Sequence, residues 1–133
     1  MAVVRSRWIA RAKRAGASRV SLKCENLQKT GSFKVRGVLN KLSRMTEAER
    51  ARGVIGFSAG NHAQALAWGA HGAGKRCTVV MPATAPRIKV DAVREYGAEV
   101  DLVDLKKKGR LERLGELAKQ FHEAYVASHY DDP

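Results

Sequence analysis

The chain has 133 residues, 44% hydrophobic and 29% charged, which is enough for one core and lies within the globular range. It contains no run of about 18 apolar residues, so no membrane-spanning helix is expected. Lys and Arg number 25 against 13 Asp and Glu, a formal charge of +12, which admits nucleic acid as a partner. The cations are scattered, however. RAKR and LKKKGR are the clusters, and neither zinc-finger spacing nor an RNP-like aromatic box accompanies them, so nucleic acid is not the leading expectation.

The N-terminal MAVVRSRWIARAKRAG is basic but lacks a sustained apolar stretch and a small-residue cleavage site, so no secretory signal is expected. Residues 6–17 have weak helical periodicity and break at Gly16; residues 19–24, RVSLKC, alternate Val20, Leu22 and Cys24 as a strand does. The polar turn ENLQKTG follows. Ser32 is placed to cap a helix over 33–45 that sets Phe33, Val35, Val38, Leu39 and Leu42 near one face. Thr46 with Glu49 three residues later forms a capping-box signature for a short helix that stops at Gly53.

From Gly53 onward strands alternate with helices. Strands are expected at 54–57, 77–81, 99–103 and 124–128, and helices at 61–71, 86–96 and 111–122. Helices of about ten residues between short apolar strands imply parallel βαβ units with right-handed crossovers, so the fold class is α/β. Cys24 and Cys77 form no CxxC pair. They are expected as small buried hydrophobes of a reducing compartment, the cytoplasm by default.

Two stretches can carry chemistry. Lys34 falls in the first turn of a helix, where the positive end of the macrodipole disfavours a second positive charge and favours a neutral, nucleophilic amine. The bland reading is a surface lysine after an N-cap. The second stretch, FSAGNHAQ, joins a strand end to a helix start through a Ser-Ala-Gly turn, and N–H groups at such a start bind carboxylate or phosphate. Asn61 adds a side-chain amide, whereas His62 is expected to pack and not to act as a base. Glu25 and Asn26 are expected to hold the turn before Lys34 by local hydrogen bonds. His62, His71, His122 and His129 have no metal-ligand spacing, so no metal site is expected.

KCENLQKTGSFKVRG, then FSAGNHAQ, then VVMPATAPRIKVDAVREYGAEV together resemble the fold-type II pyridoxal-phosphate enzymes, which have a tryptophan-synthase-β-like fold. The closest likeness is to the threonine dehydratases (threonine ammonia-lyases) and the related serine dehydratases and racemases. The resemblance implies an open, twisted parallel sheet with flanking helices, and pyridoxal 5'-phosphate as cofactor. It implies that Lys34 forms the Schiff base and moves the α-proton, with Phe33 and Ser32 shaping the pocket beside it. It also implies that Ser58, Ala59, Gly60, Asn61 and His62 form the loop for the substrate carboxylate, with Asn61 on the cofactor's 3'-oxygen.

The activity implied is α,β-elimination from L-threonine or L-serine, giving a 2-oxo acid and ammonia, in a homo-oligomer, dimer or tetramer. Serine racemases carry a second serine where this chain has Ala59, so dehydration is favoured and racemisation is the alternative. From another class, the alternative is a non-catalytic fragment whose basic surface binds nucleic acid or protein. The family's chains are more than twice this long. The resemblance therefore implies an incomplete fold, with residues 1–52 opening the larger cofactor domain and residues 53–133 forming a small βα domain. The family's glycine-rich phosphate loop has no counterpart, since no two glycines are adjacent, and weak or absent turnover by the chain alone is the corresponding expectation.

Overall fold

The computed structural model describes residues 7–106, 109–120 and 125–127. Four parallel strands, β1 (Val54–Phe57), β2 (Cys77–Pro82), β3 (Glu99–Val103) and β4 (Tyr125–Ala127), form one sheet in the order β3-β2-β1-β4. Helices α4 (Asn61–Gly72), α5 (Arg87–Glu95) and α6 (Arg110–Gln120) connect them in turn. Before the sheet come α1 (Arg7–Arg14), two single-turn 3-10 helices at Glu25–Leu27 and Lys29–Gly31, α2 (Lys34–Arg44) and α3 (Glu47–Arg52).

Strand alternation divides the core between the two faces of the sheet. Val54, Cys77, Val79 and Met81 turn to one face, where α2, α4 and α5 supply Val38, Leu42, Leu66, Val90 and Val93. Ile55 and Val80 turn to the other, where Val103 joins Leu114 and Leu117 of α6. A side chain buried in this way contributes about 1.5–3 kcal/mol. Helices on both faces make the sheet doubly wound, as the alternating sequence pattern requires.

The N-terminal elements depart from expectation in two places. Residues 19–24 form no strand, because the alternating segment has no hydrogen-bonded neighbour, and Leu22 and Cys24 are exposed. In α2 the buried residues are Val35, Val38 and Leu42, while Phe33 and Leu39 remain 59% and 44% exposed, so the apolar stripe is wider than the face that α4 covers. Gly69 lies within α4, where a Cβ would stand 2.9 Å from Val38 Cγ1 and 3.1 Å from Leu42 Cδ1.

The capping box of α3 is complete. Thr46 Oγ1 accepts from the Glu49 N–H at 3.3 Å, and Glu49 Oε2 accepts from the Thr46 N–H at 2.7 Å. Gly53 then turns the chain into β1 at φ 83°, a region L side chains rarely adopt, and a Cβ there would lie 2.8 Å from the Arg76 carbonyl oxygen. No helix among the described residues is long and apolar enough to cross a membrane.

Candidate active site

The loop after β1 occupies a position set by topology. The chain leaves β1 through α4 to reach β2 on one side, and returns from β3 through α6 to place β4 on the other. The carboxyl end of β1 is therefore the switch point of the sheet, where open α/β folds have their ligand crevice. Ser58 extends the ladder by donating its N–H to the Val80 carbonyl at 3.2 Å, and its Oγ accepts from the Gly60 N–H at 3.2 Å. That contact folds the loop tightly and delivers Gly60 as the N-cap of α4.

Gly60 has no side chain with which to cap the helix. The first intrahelical bond runs from the Gln64 N–H to the Gly60 carbonyl at 3.3 Å, so the N–H groups of Asn61, His62 and Ala63 have no acceptor within the helix. A Cβ on Gly60 would meet nothing within 4 Å, which leaves open space beside the cradle. Ser58, Ala59 and Gly60 are half-buried, Asn61 is exposed at the helix start, and His62 is buried at 8% exposure. An exposed amide can reach a ligand oxygen; a buried imidazole packs.

Lys34 is the first residue of α2, and its Nζ lies 5.2 Å from the centroid of the exposed Phe33 ring. The contact is a cation–π pairing between chain neighbours at the helix start. The turn before it is braced from outside: both Glu25 carboxylate oxygens accept from Arg36 Nε, at 2.9 and 3.0 Å. The Arg36 hydrogen bond holds the Glu25 carboxyl below its ordinary value. Glu25 is thus a structural brace, reaching a partner eleven residues away in α2 and not only within its own turn.

Ser32 does not cap α2. Thr30 and Gly31 adopt φ of 61° and 67°, which turn the chain so that Ser32 enters extended at φ −156°, and the cap position falls to Phe33 with no side-chain bond. Ser32 Oγ and Thr30 Oγ1 are buried without a hydrogen-bond partner among the described residues. The left-handed Thr30 was not legible beforehand; the Thr-Gly pair in the turn is its only signal. Packing of α2 on α4 sets Lys34 and the 58–61 loop at the starts of two helices in direct contact, and the Lys29–Gly31 turn also lies against α4. Among the described residues no group of three or more His, Cys, Asp and Glu could hold a metal ion.

A lysine at one helix start, an uncapped helix start at another and the switch point at the end of β1 belong to one doubly wound α/β fold. Residues 3–133 match the family model described as pyridoxal-phosphate dependent enzyme, and the chain belongs to that family. It is 47% identical over 116 residues to L-threo-3-hydroxyaspartate ammonia-lyase of Pseudomonas sp, covering 87% of this chain and 36% of that protein. It is 42% identical over 114 residues to the catabolic L-threonine dehydratase of Escherichia coli strain K12, covering 86% and 34%. Serine racemase from Dictyostelium discoideum superposes with a TM-score of 0.76 at 38% identity, covering 82% of this chain and 35% of that one. The chain thus spans about a third of the length of the curated relatives it matches.

Proposed function

We propose that this chain carries the lysine and asparagine-loop part of a pyridoxal-phosphate site that eliminates water and ammonia from L-threonine or L-serine. The residues present fit the cofactor's aldehyde, ring and 3'-oxygen: the Lys34 amine, the Phe33 ring beside it and the exposed Asn61 amide. The observation that supports the reading is that Lys34 begins α2 and the uncapped start after β1 begins α4, two helices that pack on each other.

When bound, the cofactor supplies an electron sink for the negative charge left at the substrate α-carbon. Lys34 would hold the cofactor through its amine, and as a free amine it would take the α-proton on Nζ. The N–H groups at the start of α4 bind the substrate carboxylate and fix the α-carbon–hydrogen bond toward Lys34. The β-hydroxyl would leave as water with the proton that Lys34 carries, and water added to the product enamine would release ammonia and the 2-oxo acid. Ala59 offers only a methyl group, with no proton to deliver to the opposite face, which favours elimination over racemisation.

On the same reading, residues 1–52 begin the larger cofactor domain and residues 53–133 form the small domain, a division supported by the strand–helix repeat that opens at Val54. The complete enzyme is a cytoplasmic homo-oligomer. Support comes from the free, exposed thiol of Cys24 and from Leu27, which is 81% exposed and suited to cover by another subunit.

The test is an absorbance spectrum of the chain with pyridoxal phosphate, before and after borohydride reduction, beside Lys34→Ala. A visible band that reduction fixes on Lys34, and that the variant lacks, is expected. A chain with no band, or with one that survives Lys34→Ala, is not a cofactor-binding protein of this kind.

A further inference from the structure

Two observations converge on the turn before Lys34. The first is polar: Ser32, 95% buried by its 5% exposure, and Thr30 each bury a hydroxyl oxygen with no hydrogen-bond partner among the described residues. Buried polar side chains nearly always find a partner, and one left without is destabilising. Two within three residues are a concentration that packing alone does not explain. The second is conformational: Thr30, a β-branched residue, stands at φ 61° and ψ 10°. L side chains of that type are genuine outliers there, and such outliers cluster at ligand sites.

Charge indicates what completes the turn. Between Asn26 and Thr46 the chain carries Lys29, Lys34, Arg36, Lys41 and Arg44 and no carboxylate. Glu25, which precedes this stretch, is already engaged by Arg36. A hydroxyl in cationic surroundings serves as a donor to an anionic oxygen.

We propose that Ser32 and Thr30 are positioning residues whose hydroxyls donate to an oxyanion of the ligand held at Lys34, so that the turn is completed by that ligand at the expense of the free chain's stability. The proposal rests on the cofactor reading of Lys34, adds Thr30 to it and gives Ser32 a stated role. The oxyanion is the phosphate of the cofactor or the carboxylate of the amino acid; both present the same acceptor chemistry.

The test uses the full chain, Ser32→Ala and Thr30→Val, with thermal unfolding and binding measured for three probes: pyridoxal phosphate, inorganic phosphate and L-serine. Without ligand, Ser32→Ala is expected to raise the unfolding midpoint by about 2–6 °C, because it removes a buried donor that has no partner. With ligand it is expected to bind about tenfold more weakly, the loss of one hydrogen bond to a charged acceptor. Thr30→Val keeps the shape and removes the hydroxyl, and is expected to move both quantities in the same directions.

A merely structural hydroxyl would lower stability and binding together, so opposite signs are the signature. Weakening by pyridoxal phosphate and inorganic phosphate identifies the phosphate, and weakening by L-serine identifies the carboxylate. A lowered midpoint without ligand, unchanged affinity for all three probes, or a wild-type chain that binds none of them overturns the proposal. Failure of the cofactor reading is separate: no borohydride-fixed adduct forms on Lys34. If inorganic phosphate then still protects the wild-type chain and not Ser32→Ala, the hydroxyls anchor an oxyanion without the cofactor.

Discussion

Cys77 sits inside β2 and Cys24 on the exposed segment before the first 3-10 turn, so one side-chain type meets two environments. Burial, with a smaller contribution from Glu99, pushes the Cys77 thiol from an ordinary 9.0 up to about 12. The thiolate is the reactive form, so at pH 8 Cys77 is inert and Cys24 is open to reagent. One thiol per chain is expected to react rapidly with a disulfide reagent, the second only after denaturation; two fast thiols would mean that β2 opens. The same shift fixes a sign in stability. A folded-state value above the unfolded one contributes stability that is complete below pH 9 and is lost as pH rises toward 12, by as much as about 4 kcal/mol. The wild-type chain should therefore lose more stability between pH 8 and 11 than Cys77→Ala does, as measured by urea unfolding. At this scale the candidate site was readable only in part. Lys34 and the 58–62 stretch are carried by residue type and order, whereas the buried hydroxyls of Thr30 and Ser32 follow from a backbone turn that no local propensity announces.

α2, which begins with Lys34, packs on α4, which follows the 58–60 loop, and a Cβ on Gly69 would be crowded there by α2. Two effects oppose each other in Gly69→Ala. Alanine improves helix propensity by about 0.5–1 kcal/mol, while its methyl would lie 2.9 Å from Val38 Cγ1 and 3.1 Å from Leu42 Cδ1. Overpacking a dense core costs about 1–3 kcal/mol, and Val38 is stiff and buried, so the clash is expected to win by about 1 kcal/mol. Gly115 in α6 is the control, because it is exposed and a Cβ there meets nothing within 4 Å. Gly115→Ala should stabilise the chain by about 0.5–1 kcal/mol. Chemical denaturation of both variants checks the pair, and equal signs would place the α2–α4 contact elsewhere. Elements with a strong period of their own, such as Cys77–Pro82 and Arg87–Glu95, were legible because local pattern and tertiary burial agree. Residues 19–24 have an equally good alternation and no strand, since a ladder needs a neighbour and a sequence pattern does not supply one.

Over the whole molecule, the excess of 25 cations over 13 anions sets general repulsion against a few specific attractions. Arg113 ties α6 to β3 by donating to Asp101 at 2.7 Å and to Glu116 within α6 at 3.1 Å, and Arg36 ties α2 to Glu25. Solvent-exposed pairs of this kind each contribute little. They act over a few ångströms, so salt weakens them only moderately. Repulsion among the scattered Lys and Arg acts across the whole surface, and its range falls from about 30 Å at 0.01 M salt to about 8 Å at 0.15 M. Long-range repulsion therefore loses more to screening than short-range attraction does. The thermal midpoint is expected to rise by a few degrees between 0.01 and 0.15 M potassium chloride. A midpoint that falls instead would mean that the pairs at Arg113 and Arg36 outweigh the net charge. Bulk composition made the sign of the charge legible and left its consequence open, because only the fold separates Arg113, bound between two carboxylates, from an exposed cation such as Arg44.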